Sequence, residues 1–207
     1  DLGREDLGAL EAGLPNLLRH VSNIVNVYKL PCVVAVNRFP TDTDAEISLV
    51  IEKCRALGVR TVLSTVWADG GAGGTELAEE VVRLCELPND FSFSYPLEDS
   101  IEDKITAVVR RIYGGDGVTF APAASKEIAR LTALGYGDLP VCMAKTQYSF
   151  SDDPAKLGAP EGFTVTVRNV KVSAGAGFIV ALRAVLKNAP GGFCQEVPGI
   201  FCAPLYK

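Results

Sequence analysis

The sequence predicts an α/β fold: a mainly parallel sheet with helices on both faces, plus a smaller α+β carboxyl-terminal region. Three observations carry this. Apolar runs of strand length alternate with helical patterns through most of the chain. The runs at residues 31–36 and 139–144 are apolar at consecutive positions, as in strands buried on both faces. After Phe163 the pattern changes to strict alternation, as in a half-exposed strand.

The elements follow in order. Leu10, Leu14, Leu17, Leu18, Val21, Ile24 and Val25 recur at helical spacing, and Pro15 marks a break or a first turn. Residues 31–36 (PCVVAV) form the first strand. Thr41 and Thr43 are N-cap candidates for a helix over 44–57, with Glu46 completing a capping box and Gly58 as its stop. A second strand covers 59–66. Trp67 and the glycine-rich stretch to Gly74 follow, and Thr75 caps a helix reading ELAEEVVRLCEL. Beyond a softer stretch, PNDFSFSYPLEDS, a helix covers 101–113 and GGDGVTF gives a turn and short strand. A helix then spans 121–134 and a buried strand 139–144. Residues 164–172 alternate as one strand. SAGAGFIVAL turns and runs apolar, and the last residues show no period.

Composition narrows the function. The chain has 207 residues, 48% hydrophobic and 22% charged, the balance of a soluble globular protein. A net charge of −5 with no basic run argues against a nucleic-acid binder. No stretch approaches the ~18–20 apolar residues that cross a bilayer, and the first residues lack signal-peptide character. The six cysteines have no C-x-x-C spacing and there is one histidine, so no metal site is expected. The thiols read as buried and reduced, which fits a cytoplasmic setting. His20 reads as a solvated helix residue. With no second histidine a nucleophilic triad is not supported. Asp152-Asp153 before Pro154 reads as a loop cap rather than a paired-carboxylate site.

In open parallel sheets ligands bind beyond the carboxyl ends of the strands. That selects Asn37-Arg38-Phe39, Trp67 with Asp69, and Lys145-Thr146-Gln147-Tyr148. If these strands are neighbours, Phe39 and Trp67 face one cleft with an amide and two cations nearby. Such a cleft suits a flat heteroaromatic ligand carrying acidic groups. The alternative is that both rings pack in a core under the loops. Three glycine-rich stretches, GGAGGT, GGDG and AGAG, all lack the Gly-Lys-Ser/Thr ending of a phosphate loop. The first precedes a helix N-terminus, which favours an anion, or is a plain turn. Gly175 and Gly177 read as points of close backbone approach, either to a neighbouring element or to a ligand ring.

Five stretches, VVAVNRFPTDTDAEI, TVWADGGAGGTELAEEVV, IYGGDGVTF, LPVCMAKTQYSFSDDP and GFTVTVRNVKVSAGAGFIVAL, together resemble formate–tetrahydrofolate ligase of the one-activity bacterial type. The likeness covers residues 5–182. It implies an ATP-dependent ligase that makes formyl phosphate from formate and ATP, then passes the formyl group to tetrahydrofolate. It implies part of a P-loop-type α/β fold and a cytoplasmic homotetramer. It also implies ATP with magnesium, a monovalent cation, and tetrahydrofolate as small-molecule partners, without nucleic acid or membrane.

By resemblance, Phe39 and Trp67 stack the folate rings. Arg38 and Lys145 face its polar or anionic groups by position. Asn37 meets the nucleobase, and Ser173, Ala174 and Gly175 line the adenine site. Residues 1–95 would be the folate-binding part and 96–182 a continuing α/β region. Residues 183–207, RAVLKNAPGGFCQEVPGIFCAPLYK, leave the family pattern, by a frame shift or true divergence. The Walker lysine and the formyl-phosphate arginine are expected upstream of position 1, so no catalytic residue is assigned. The chain would be a carboxyl-terminal portion, inactive alone. The alternative is a non-catalytic folate- or nucleotide-binding domain, and a third reading is a structural remnant.

Overall fold

A computed structural model describes residues 3–144, 150–151, 153 and 155–183. The chain divides after Ser92 into two compact units.

The first unit begins with α1 (Leu7–Ser22), which Asp6 caps by accepting the Ala9 N–H at 2.8 Å. Leu10, Leu14 and Val21 are its buried residues. Pro15 lies inside α1 rather than at a break or first turn, with its ring exposed. The helix runs on through a wider π turn, Asn23–Val27. Strand β1 (Val33–Asn37), helix α2 (Asp44–Ala56) and β2 (Arg60–Ser64) form a β-α-β unit. The strands pair in parallel from Val33↔Arg60 to Asn37↔Ser64.

The Thr43–Glu46 capping box is present, and Gly58 turns the chain at φ 73° after the helix. Short α3 (Val66–Asp69), a 3-10 turn (Gly70–Gly74) and α4 (Thr75–Cys85) follow. Gly74, not Thr75, occupies the N-cap position, so Thr75 is the first helical residue. Leu10, Leu14, Val21, Val34, Val50, Cys54 and Val59 form one core cluster. The first strand is not buried on both faces as its sequence suggests, because Ala35 is exposed.

In the second unit, α5 (Ile101–Val108) starts at Ser100, whose Oγ accepts the Asp103 N–H. It continues as a π turn, Val109–Tyr113, and stops at left-handed Gly114. Strand β3 (Gly117–Phe120), α6 (Pro122–Ala133) and β4 (Val141–Ala144) follow, then β5 (Thr164–Val167), β6 (Asn169–Ser173) and β7 (Phe178–Leu182). Strand β3 pairs in parallel with β5. Strand β7 takes β4 in parallel on one side and β6 antiparallel on the other.

The described residues therefore form two parallel pairs and one mixed three-stranded sheet, not one continuous parallel sheet. The alternating stretch at 164–172 is two strands, broken at Arg168. The Val167 carbonyl accepts the Ala121 N–H, while the Arg168 N–H turns to the Leu182 carbonyl at 2.8 Å. Its two halves thus serve two different sheets. The core here includes Ile105, Val109, Ile128, Leu131, Val165 and Ile179.

Candidate functional site

Parallel pairing of β1 with β2 sets their carboxyl ends side by side. The last pair is Asn37↔Ser64, and the Arg38 N–H extends the ladder to the Ser64 carbonyl at 3.0 Å. The chain then turns at once. Asp42 donates its N–H to the Phe39 carbonyl at 3.0 Å, and its Oδ2 accepts the Phe39 N–H at 2.8 Å. This reciprocal pair fixes the backbone under the Phe39 ring before α2 begins.

On the neighbouring strand, the Thr65 carbonyl accepts the Ala68 and Asp69 N–H groups, both at 2.9 Å. That single turn, α3, presents Trp67. Both rings are exposed, Phe39 by 46% and Trp67 by 65%, so the alternative of two rings packed in a core is excluded. Their centroids lie 6.5 Å apart with planes tilted at 48°. The rings form a tilted aromatic pair within the favoured distance range. Two stacking contacts at van der Waals distance need parallel rings about 7 Å apart. A flat ligand would therefore enter by turning the rings toward parallel with only a small widening.

Arg38 Nη2 holds Asp44 Oδ1 at 2.8 Å, and the Asp44 side chain is 88% exposed. Such an exposed pair is worth about 0–1 kcal/mol, so an acidic ligand group can replace Asp44 at little cost. Asn37 is exposed at the end of β1. Glu46 ties two helix starts together. Its Oε2 accepts the Thr43 N–H and its Oε1 the Asp6 N–H, each at 3.2 Å, so one buried carboxylate serves the starts of α1 and α2.

The other expected residues fall elsewhere. Lys145 and Thr146-Gln147-Tyr148 lie outside the described residues. The strand that leads to them, β4, belongs to the second unit, where it pairs with β7. Ser173, Ala174 and Gly175 belong to the second unit, where they open the β6–β7 hairpin turn. The Ser173 carbonyl accepts the Ala176 and Gly177 N–H groups at 3.0 and 2.9 Å. Gly175 and Gly177 do not closely approach a neighbouring element of the chain, since a Cβ on either would meet nothing within 4 Å. Gly177 is needed for its φ of 74°. Close approach occurs instead at Gly115, against Val109 and the Phe163 carbonyl, and at Gly73, against Thr65.

His20 is half-buried rather than solvated. Cys54 is buried, Cys32 and Cys142 are half-buried, and Cys85 is exposed, contrary to a uniformly buried set. Burial pushes the Cys32 thiol up to about 11, with Cys54 adding to the effect. Asp153 acts as a loop cap, its Oδ1 accepting the Ala155 N–H at 3.0 Å. Asp152 and Pro154 lie outside the described residues. Among the described residues no three His, Cys, Asp or Glu side chains converge to hold a metal ion. No described helix is long and apolar enough to cross a membrane.

Sequence reasoning missed Asp42, because an acid in a polar turn carries no mark of its partner. It also missed Glu80 on α4. This carboxylate is buried beneath two arginines, bonded by Arg83 Nε and Nη2 at 2.9 and 2.7 Å and by Arg60 Nη1 at 2.8 Å.

The family model described as formate–tetrahydrofolate ligase matches residues 1–198, running past residue 182, where the sequence resemblance was expected to end. A match over nearly the whole chain, on a sequence whose NRFP and VWA segments bring their two rings together at the strand ends, places the protein in the formate–tetrahydrofolate ligase family.

Proposed function

We propose that the first unit holds tetrahydrofolate for an ATP-dependent ligase. In that reaction formate takes the γ-phosphoryl group of ATP to give formyl phosphate. An amine of tetrahydrofolate then attacks the formyl carbon, and phosphate leaves. The observation that carries this reading is the exposed Phe39–Trp67 pair at the ends of two paired parallel strands. The two rings grip the pterin or aminobenzoyl system. Arg38 exchanges Asp44 for a ligand carboxylate, and Lys145 takes a similar role by position. Asn37 serves the nucleobase, and Ser173, Ala174 and Gly175 the adenine site.

In this reading residues 1–95 are the folate-binding part of a P-loop-type fold, and residues 96–182 continue the ligase as a cytoplasmic homotetramer. No sequence G-x-x-x-x-G-K-[ST] occurs in the 207 residues. Phosphoryl transfer depends on positioning and neutralising the phosphates, so this chain alone is expected not to turn over. Magnesium would arrive with ATP, and no described side chain is assigned to it or to a monovalent cation.

Tetrahydrofolate titrated into the chain should quench its sole tryptophan, Trp67. Phe39→Ala should weaken binding by the ~1–3 kcal/mol typical of one stacked ring, or roughly 5- to 150-fold. Unchanged affinity in that variant would remove the ring assignment. A second reading is a non-catalytic folate- or nucleotide-binding domain, for which the exposed ring pair would serve equally well. The coding sequence upstream of Asp1 separates the two: an in-frame Walker loop there favours the ligase, and a start codon there with no such loop favours the binding domain or the structural remnant.

A further inference from the structure

We infer that Gly73 is a positioning residue that sets Trp67 opposite Phe39 by closing the neck of the loop carrying it. Residues 65–74 leave β2 and return to their starting point. The Thr65 N–H donates to the Gly73 carbonyl at 3.1 Å, which fastens the two ends. The same Thr65 offers its carbonyl to Ala68 and Asp69, which starts the turn bearing Trp67. One residue thus anchors both the neck and the ring.

The neck closes only because position 73 has no side chain. A Cβ there would sit 2.5 Å from the Thr65 carbonyl carbon, 2.7 Å from its oxygen and 2.6 Å from its Oγ1. Two of those three atoms are backbone, so no rotamer change relieves the clash. The neck must open, and Thr65 moves with it, two residues before the ring. The neighbouring glycines differ. A Cβ on Gly71 meets nothing within 4 Å, and one on Gly74 meets only the Val66 Cγ2 at 3.0 Å. A loop that needed glycine merely for flexibility would treat the three positions alike.

The prediction is a graded series in the full chain, read first without ligand. Gly71→Ala should leave the Trp67 emission maximum and its acrylamide quenching unchanged. Gly74→Ala should shift them slightly and Gly73→Ala most. Only the second readout, tetrahydrofolate affinity, rests on the folate reading. There Gly73→Ala should cost roughly the 5- to 150-fold of one lost ring, and Gly71→Ala nothing. Native emission and affinity in Gly73→Ala, or an equal shift in Gly71→Ala, would overturn the inference. If the unmodified chain binds no tetrahydrofolate, the folate reading fails while the emission series still decides the neck. Should Gly73→Ala not fold, hydrogen exchange at the Thr65 amide of the unmodified chain carries the test. Protection supports a closed neck, and exchange at the rate of a free amide overturns it.

Discussion

Asp42→Ala isolates the turn that holds Phe39 without touching the ring. The substitution keeps the backbone bond from the Asp42 N–H to the Phe39 carbonyl, because that donor belongs to the main chain. It removes the 2.8 Å bond from the Phe39 N–H to Oδ2. The acceptor is charged but close to water, so its net worth is about 1 kcal/mol, below the range for buried charged partners. If the closed turn is the conformation that binds, apparent affinity scales with its population. A ~1 kcal/mol loss then limits the weakening of tetrahydrofolate binding to roughly fivefold. That is smaller than the effect of deleting the Phe39 ring. Asp42→Asn retains an acceptor oxygen and should recover most of the loss. The assay is a Trp67 fluorescence titration on all three chains, with far-UV circular dichroism to show that each is folded. Native affinity in Asp42→Ala would refute the argument. So would Asn and Ala variants that are equally weak, since charge rather than the turn would then be responsible. A loss near 100-fold would mean that Asp42 touches the ligand.

Glu80 should give the first unit a stretch of acid sensitivity. Hydrogen bonds from Arg83, opposed by burial and aided by the charges of Arg83 and Arg60, hold its pKa down to about 2. A folded value below the unfolded one, about 4.3, means stability that is present above that unfolded value. It is lost as pH falls from there toward 2. Unfolding curves across this window should slope for the native chain and be flatter for Glu80→Gln; parallel curves would refute the assignment. Glu46→Ala should destabilise by about 2 kcal/mol, because the N–H groups of Thr43 and Asp6 both lose their acceptor. For a unit of this size that is a fall of roughly 10 °C in thermal midpoint, and a fall under half of that would mean the two caps are not shared.

Much of the first unit was legible because its signals are local. Thr43 and Glu46 are three residues apart, and Gly58 sits where a left-handed turn must follow the helix. Both strands were placed to within about two residues at each end, whereas the register that sets Asn37 beside Ser64 was not legible. The second unit was less legible where the signal is a partner rather than a pattern. Alternation over 164–172 reports one wet and one dry face, but not that β5 pairs with β3 while β6 pairs with β7. Arg168, where the strand breaks, has no turn chemistry to announce it. Glu80 was hidden for the same reason. In the run ELAEEVV a glutamate reads as solvent-facing, and only Arg60, twenty residues earlier, reveals it as buried.

The site itself was half legible, and the unread half changes how it must work. Position on the strands pointed to two rings at one cleft, and a cleft suggests an open slot. At 6.5 Å and 48° the rings contact each other instead. A ligand entering between them exchanges one ring–ring contact, worth ~0.5–1.5 kcal/mol beyond area, for two ring–ligand contacts. The net gain is two stacks less that resting contact. Arg38 is likewise already engaged, with Asp44, so in the proposed reading it would exchange one carboxylate for another. Each exchange costs little because each resting contact is exposed and weak. Truncating either ring therefore removes one stack, offset in part by the ring–ring contact that no longer has to be broken. Phe39→Ala and Trp67→Ala should then weaken tetrahydrofolate to a similar extent, although the two rings differ in size and exposure. The fluorescence of the second variant is lost with its only tryptophan, so calorimetry makes that comparison, and a tenfold difference between the two would restore the open slot.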